Sequence, residues 1–299
     1  MEKIDLHLHT TYSDGDLDIT TLLLEAKKRG IKTLAITDHE TIIGLNGYKK
    51  AIEKYGIKII PAIEMNVTLS GTHILGYGIE DLNKVEKAFD DIRIENENVV
   101  YDIIKYLKED GVKIDESDVA QNTMEYHQNK KNIVEINNDI FKYQKEFVIA
   151  KNDVARTMRD LKIVESVNEA YNLYLNRDGK KYCIKTKKID VRDAIELIDS
   201  CGGTTSLAHP MTVRTKKESL INICKELKSY GLSGIEVDGN RFSNKQRIQY
   251  RNIAESLNLI ETIGSDFHRL DQEMGMFVSN KIVDNLEQKI KEMKLIKHL

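Results

Sequence analysis

The stretch Ile4–Asp16, "IDLHLHTTYSDGD", decides how the rest of the chain is read. Its first half alternates apolar and polar residues, the period of a β-strand, so His7 and His9 at i and i+2 project from one face. Asp14 follows just past the strand end. Imidazoles and carboxylates gathered this closely commonly serve a metal ion or a proton transfer. The question is whether further donors arrive at equivalent places in the chain.

Moving outward, they do. "IKTLAITDH" (31–39) reads as a buried strand closing on His39, and "IKIIPAIEMNVTLSGTHILGYGI" (57–79) as two strands about a Ser-Gly turn, carrying Glu64 and His73. "TTSLAHP" (204–210) ends near His209, and "LIETIGSDFH" (259–268) ends on Asp266 and His268, again at i and i+2. "LSGIEVDG" (232–239) is a further strand. Between the strands lie amphipathic segments with glycine or asparagine stops: 19–30, 45–56, 191–203, 219–231 and 245–258, with "NLEQKIKEMKLIK" as a closing helix. Strands alternating with helices of this length predict βαβ units and a parallel sheet or barrel, whose chemistry sits at the C-terminal ends of the strands.

The middle of the chain is different. Residues 82–182 are polar, rich in Lys, Glu, Asn and Asp, and helical in period, with 85–111, 152–164 and 166–175 as individual helices. This predicts a discontinuous barrel formed by 1–81 and 183–299, with 82–182 as a mainly helical insertion or lid whose charge runs form a solvated face.

Composition bounds the function. Hydrophobic residues make up 40% and charged residues 31% of 299, which suits a globular fold with a substantial core. The formal net charge of -3 offers no general attraction to nucleic acid or anionic membrane, so any phosphate must be captured locally. Cys183, Cys201 and Cys224 form no CxxC pair and are odd in number, which argues against a disulfide framework. No signal peptide is readable and no run reaches the roughly 18 apolar residues of a spanning helix, so the expected location is the cytoplasm.

Taken singly, each candidate is weak. A lone histidine such as His73 is more often a hydrogen-bonded core residue than a ligand, and Glu64 or Asp14 alone is more often a cap or turn residue. Together they are not weak. Of the eight histidines, six end strands, and the other two, His127 and His298, fall in the insertion and the tail, where solvated surface is expected. Six histidines and three acids on one rim point to a metal site.

The motifs "DLHLHTTYSDGD", "AITDHET", "IEMN", "HILGYGI", "LAHP" and "GSDFH", in that order, resemble the polymerase and histidinol phosphatase (PHP) family along nearly the whole chain outside the insertion. The resemblance implies a distorted (β/α)7 barrel of the α/β class with a helical insertion domain. Asp14 in "SDGD", "NDVARTM" in the insertion and the "GSDFH" ending are similar to the branch of 3′,5′-nucleotide bisphosphate phosphatases and 5′-to-3′ exoribonucleases of the RNase AM type. The chain departs from the family pattern at Glu40, where Asp is usual, at Ala62, which replaces a glycine, and in the missing proline of the first helix. None of these departures removes a ligand.

Carried over, the resemblance implies two to three divalent metal ions. His7, His9, Glu64 and Asp266 would hold the first. Glu64 would bridge to a second completed by His73 and His209, and Asp14, His39 and His268 would hold a third. Nitrogen and oxygen donors without thiolate suit Mn²⁺, Fe²⁺ or Zn²⁺, and the nucleotidase branch points to Mn²⁺. Asp266, Glu64 and His209 are the expected catalytic centre, around a metal-activated hydroxide. Arg156, Arg214 and Arg241 are candidates for substrate phosphate, since a guanidinium grips phosphate through two bonds. Asp5 and Asp38 adjoin ligand histidines and are candidates for orienting them, while Phe267 and Tyr77 are read as packing residues.

The expected activity is removal of the 3′-phosphate from a nucleoside 3′,5′-bisphosphate, with trimming of short 5′-phosphorylated RNA. The partner is thus a small phosphorylated substrate, with no membrane and no obligate protein partner readable. Two rivals remain: the same chemistry on histidinol phosphate or a cyclic phosphate, and a non-catalytic PHP scaffold. Metal content separates the scaffold from the enzymes.

Overall fold

The computed structural model describes residues 1–45, 48–132, 149–214 and 218–297. Along them run β1 (Glu2–Leu8), α1 (Ile19–Lys28), β2 (Thr33–Ile36), α2 (Tyr48–Tyr55), β3 (Lys58–Asn66), β4 (His73–Tyr77), α3 (Leu82–Glu109), α4 (Glu116–Asn132), α5 (Lys151–Asp160) and α6 (Val167–Ala170). There follow α7 (Val191–Ser200), β5 (Thr204–Leu207), α8 (Leu220–Ser229), β6 (Gly234–Asp238), α9 (Asn244–Leu257), β7 (Ile260–Ile263), β8 (Met276–Val278) and α10 (Lys281–Lys297). The expectations for His127 and His298 concern side chains outside the described residues.

All eight strands join one sheet in the order β7-β6-β5-β4-β3-β2-β1-β8. The β1–β2–β3 and β5–β6–β7 pairings are parallel, as βαβ units require. β4 interrupts the parallel order and runs antiparallel to both its neighbours, pairing with β3 as the hairpin expected of two strands about a Ser-Gly turn. The reason is length: the turn at 67–72 is too short for the crossover of a dozen or more residues that a parallel return needs.

β8, which the sequence pattern does not reveal, covers only Glu2–Ile4 of the outer edge of β1. The far end of β1 is left for the segment after β7. There Leu8 bridges Phe267 in parallel and His9 N–H donates to the Phe267 carbonyl at 3.0 Å. The sheet thus curls back on itself into a distorted α/β barrel, whose closing seam brings the two HxH-type stretches side by side. Both faces of β1 are buried, with Ile4, Leu6 and Leu8 on one and Asp5 and His7 on the other.

The described chain divides into two compact units, residues 1–87 with 188–297, and residues 88–132 with 149–187. The expected insertion, 82–182, begins where α3 begins, but α3 carries the chain from the first unit into the second without a break. A continuous helical period does not mark such a boundary. The second unit has its own apolar core, in which Val100, Ile103, Ile104, Leu107, Val119, Val154, Met158 and Leu175 are buried.

Candidate metal centre

Glu64, inside β3, is completely buried and lies among five imidazoles. Its Oε1 is 2.8 Å from His73 Nδ1 and 2.9 Å from His209 Nε2. Its Oε2 is 3.0 Å from His7 Nε2, 3.1 Å from His9 Nε2 and 3.5 Å from His39 Nε2. Asp266 Oδ1 stands 3.6 Å from His7 Nε2, 3.4 Å from His9 Nε2 and 3.6 Å from His268 Nδ1. Asp14, on the open side with its side chain 49% exposed, lies 3.2 Å from His268 Nε2, 3.5 Å from His9 Nδ1 and 3.8 Å from His39 Nε2. All nine residues singled out in the sequence therefore meet in one cluster.

The backbone is arranged to achieve this. Among the described residues, Glu40, His209 and Asp266 all have positive φ (55°, 23° and 54°), a conformation that costs free energy away from glycine and tends to mark functional sites. At Gly264 a side chain is impossible, because a Cβ would meet that of His7 at 2.1 Å. That glycine lets the end of β7 press against β1, so that Asp266 N–H reaches the His7 carbonyl at 3.0 Å.

The cluster's charges are strongly coupled. Burial would push the Glu64 carboxyl up, but His7 and His39 outweigh it and hold it well below the ordinary range. For His7 burial works downward, and Glu64 and Glu236 more than reverse it, raising the ring to about 10. His39 goes the other way, to about 4: burial there prevails over Glu64 and Asp14, with His9 and His73 adding repulsion. Asp14 is also held low, because its contacts with His268, His39 and His9 overcome desolvation.

The donors fit a cluster of divalent ions. Among the described residues, three sets have ligand atoms all within 4.8 Å of one another: His7, His9, Glu64 and Asp266; His39, Glu64 and His73; and His9, Asp14, His39 and His268, with His209, expected beside His73, in none of them. His9 Nε2 is buried and makes no hydrogen bond, although Glu64 Oε2 is close, so its lone pair is available to an ion. The donors are imidazole nitrogen and carboxylate oxygen, the combination that suits divalent transition metals.

Several neighbours behave differently from expectation. Asp5 and Asp38 touch no imidazole; each holds backbone instead. Asp5 accepts from the N–H groups of His7, Ser265 and Gly275 and from the Ser265 hydroxyl. Asp38 accepts from Thr10 N–H, the Thr10 hydroxyl and the Ser13 hydroxyl, fixing the loop that carries Asp14. Asp5 shares a face of β1 with His7, but Ser265 and Gly275 take up its oxygens; Asp38 lies past the end of β2, with its oxygens taken by Thr10 and Ser13. Phe267 and Tyr77 are fully buried, with the Tyr77 hydroxyl donating to the Leu6 carbonyl at 2.9 Å.

The three arginines separate. Arg241 is exposed and ion-paired to Asp266 on the rim. Arg214 is exposed beside the β3–β4 turn, where its N–H donates to the Ser70 carbonyl. Arg156 is 6% exposed within the second unit, ion-paired to Asp153 and stacked on the Tyr126 ring at 3.6 Å. Sequence reasoning missed Glu236, a buried carboxylate against His7. The only available signal was an acid inside the apolar strand "GIEVDG".

The PHP domain model matches residues 5–274. This chain belongs to the PHP family. Among curated PHP relatives, it is 26% identical over 269 residues to a 5′-3′ exoribonuclease of Haemophilus influenzae, covering 89% of this chain and 90% of that one. It is 24% identical over 277 residues to a 3′,5′-nucleoside bisphosphate phosphatase of Chromobacterium violaceum, covering 90% and 88%. The crystal structure of a Bifidobacterium adolescentis protein superposes with a TM-score of 0.75 at 22% identity, covering 96% of both chains, a likeness of fold. The chain is a PHP-family metal-dependent phosphoesterase, and no helix among its described residues is long and apolar enough to cross a membrane.

Proposed function

We propose that this PHP enzyme releases the 3′-phosphate from nucleoside 3′,5′-bisphosphates and trims short 5′-phosphorylated RNA from its 5′ end, with Mn²⁺ as its metal. The observation that carries the reading is the cluster around Glu64, eight residues in three close donor sets with His209 2.9 Å from Glu64 Oε1, together with relatives named for these two activities across almost the full chain. These residues would hold divalent ions, which would supply charge for a phosphoryl transition state and lower the pKa of a water.

The chain's own residues do the rest. Glu64, reaching all three donor groups through its neighbours, ties the centre together, with Asp266 and His209 on either side as its principal companions. Asp14 and His268 face the open side of the cluster, where a phosphate ester enters. Arg241 and Arg214 stand exposed on the same unit and supply cationic contacts for substrate phosphate. The paired, buried guanidinium of Arg156 serves packing in the insertion. A chain of net charge -3 grips a short oligonucleotide through few contacts rather than a long RNA through many.

Phosphate release from adenosine 3′,5′-bisphosphate, histidinol phosphate and a short 5′-phosphorylated RNA, with Mn²⁺ supplied, tests the assignment. Preference for the bisphosphate, with or without RNA trimming, supports it. Preference for histidinol phosphate, or no turnover of any of the three, overturns the substrate assignment. Purified protein that takes up no metal would favour the scaffold.

A further inference from the structure

Glu236 is a buried carboxylate at the centre that belongs to none of the three donor sets, yet it touches His7, a member of one of them, and His209, whose Nε2 lies 2.9 Å from Glu64 Oε1. It sits on β6, 1% exposed, with its two oxygens aimed at different strands. Oε1 is 3.1 Å from His7 Nδ1, on β1. Oε2 accepts the backbone N–H of His209, just past β5, at 2.6 Å. We infer that Glu236 is a positioning residue that sets the ligand geometry of two metal positions at once, through the ring of His7 and the backbone of His209.

The two contacts act differently. A carboxylate opposite Nδ1 selects the His7 tautomer with its proton on that nitrogen, leaving the Nε2 lone pair directed at the space beside Glu64 and Asp266. At His209 the backbone sits at φ 23° and ψ 70°, a conformation that a non-glycine residue keeps only when its surroundings enforce it. The bond to Glu236 is one restraint. The other is on the ring, where Nδ1 lies 2.9 Å from the Thr212 hydroxyl and Nε2 lies 2.9 Å from Glu64 Oε1. Gly264 leaves no slack, since a Cβ there would meet Glu236 Oε1 at 2.9 Å.

The inference rests on the metal-centre reading of the nine residues and is independent of the substrate. Glu236→Gln is the informative variant because it keeps the shape and reverses one contact. With its amide oxygen retained on the His209 N–H, its NH₂ group faces His7 Nδ1 and favours the tautomer protonated on Nε2, which has no lone pair for an ion. The expected result is a 10- to 100-fold weaker uptake of Mn²⁺ by calorimetry, of the order seen when such outer partners are lost, while the metal-free protein still folds cooperatively and melts lower, His7 having lost one of its two carboxylate partners. A folded Glu236→Gln protein that binds Mn²⁺ as tightly as the parent overturns the inference and leaves the metal centre standing. A parent chain that binds no metal overturns both. Should the variant not fold, the parent protein decides: with ¹⁵N-labelled histidine and Zn²⁺ bound, His7 must show a protonated Nδ1 and a metal-bound Nε2. Metal on Nδ1 would refute the role.

Discussion

In the insertion, Ile103, Leu107, Val119, Val154 and Met158 are fully buried among apolar neighbours; on the barrel rim, His7, His9 and Glu64 are as fully buried among charges. The first cluster needs nothing beyond its own contacts, because removing apolar surface from water is favourable by itself. The second persists only because each ionisable group offsets the desolvation of another, and its backbone carries three left-handed non-glycine residues. Equal burial therefore means different things in the two regions: stability in the insertion, and a prearranged set of donors on the rim.

The largest expected effect tests the rim directly. Asp266→Ala should cut phosphate release by at least about 10³-fold, comparable to losing a principal electrostatic group in an active site. The metal-free protein should melt within a few degrees of the parent, since the substitution also removes a partly buried acid from among other charges. Full activity in that variant would break the account of the rim.

Leu107→Ala should do the opposite, costing roughly 2–5 kcal/mol of stability in denaturant titration, while the barrel's metal content per folded chain stays unchanged. Coupled loss of metal would show that the two regions do not have separate jobs.

A third test follows from His7. Its ring is raised to about 10 from 6.5, with Glu64 and Glu236 prevailing over burial. A raised value means that its contribution to the stability of the metal-free protein is complete below about pH 6.5 and is lost as pH climbs through about 10. An ion must displace that proton, so metal uptake near pH 7.5 should release at least one proton per chain and tighten with rising pH. Calorimetry in two buffers of different ionisation enthalpy measures the proton count, and a count of zero would contradict the coupling described here.

The smallest effect is a control away from the rim. Asp199 on α7 is pushed up to about 7 by burial, against a weaker opposing pull from Lys289, and its Oδ1 has no hydrogen-bond partner. Its ionisation costs nothing below about pH 3.8 and the full amount above about 7. Asp199→Asn should therefore stabilise the protein by roughly 1–2 kcal/mol at pH 8 and by nothing at pH 4, with activity unchanged. Equal effects at both pH values would show that charge is not the cause.

Much of this was legible in one dimension. Strand periods placed His7 and His9 on one face, and the recurrence of His and acid at strand ends located the rim, because a parallel barrel collects the ends of its strands in one place. The order of the motifs was enough to name the family and to nominate the nine donors. What the linear pattern could not supply depended on contacts between residues distant along the chain. The short edge strand β8 follows from which edge of β1 remains free. Asp5 and Asp38 look like partners of the histidines beside them in sequence, but groups brought from elsewhere in the fold, Ser265 and Gly275 for the one and Thr10 and Ser13 for the other, take up their oxygens. Glu236 lies more than two hundred residues from His7 and reaches it only once the barrel has closed. By itself the sequence determined which side chains can bind a metal, since that is a property of residue type and period. Only the tertiary structure decided which groups hold those side chains in place, since that depends on strands being brought together by packing.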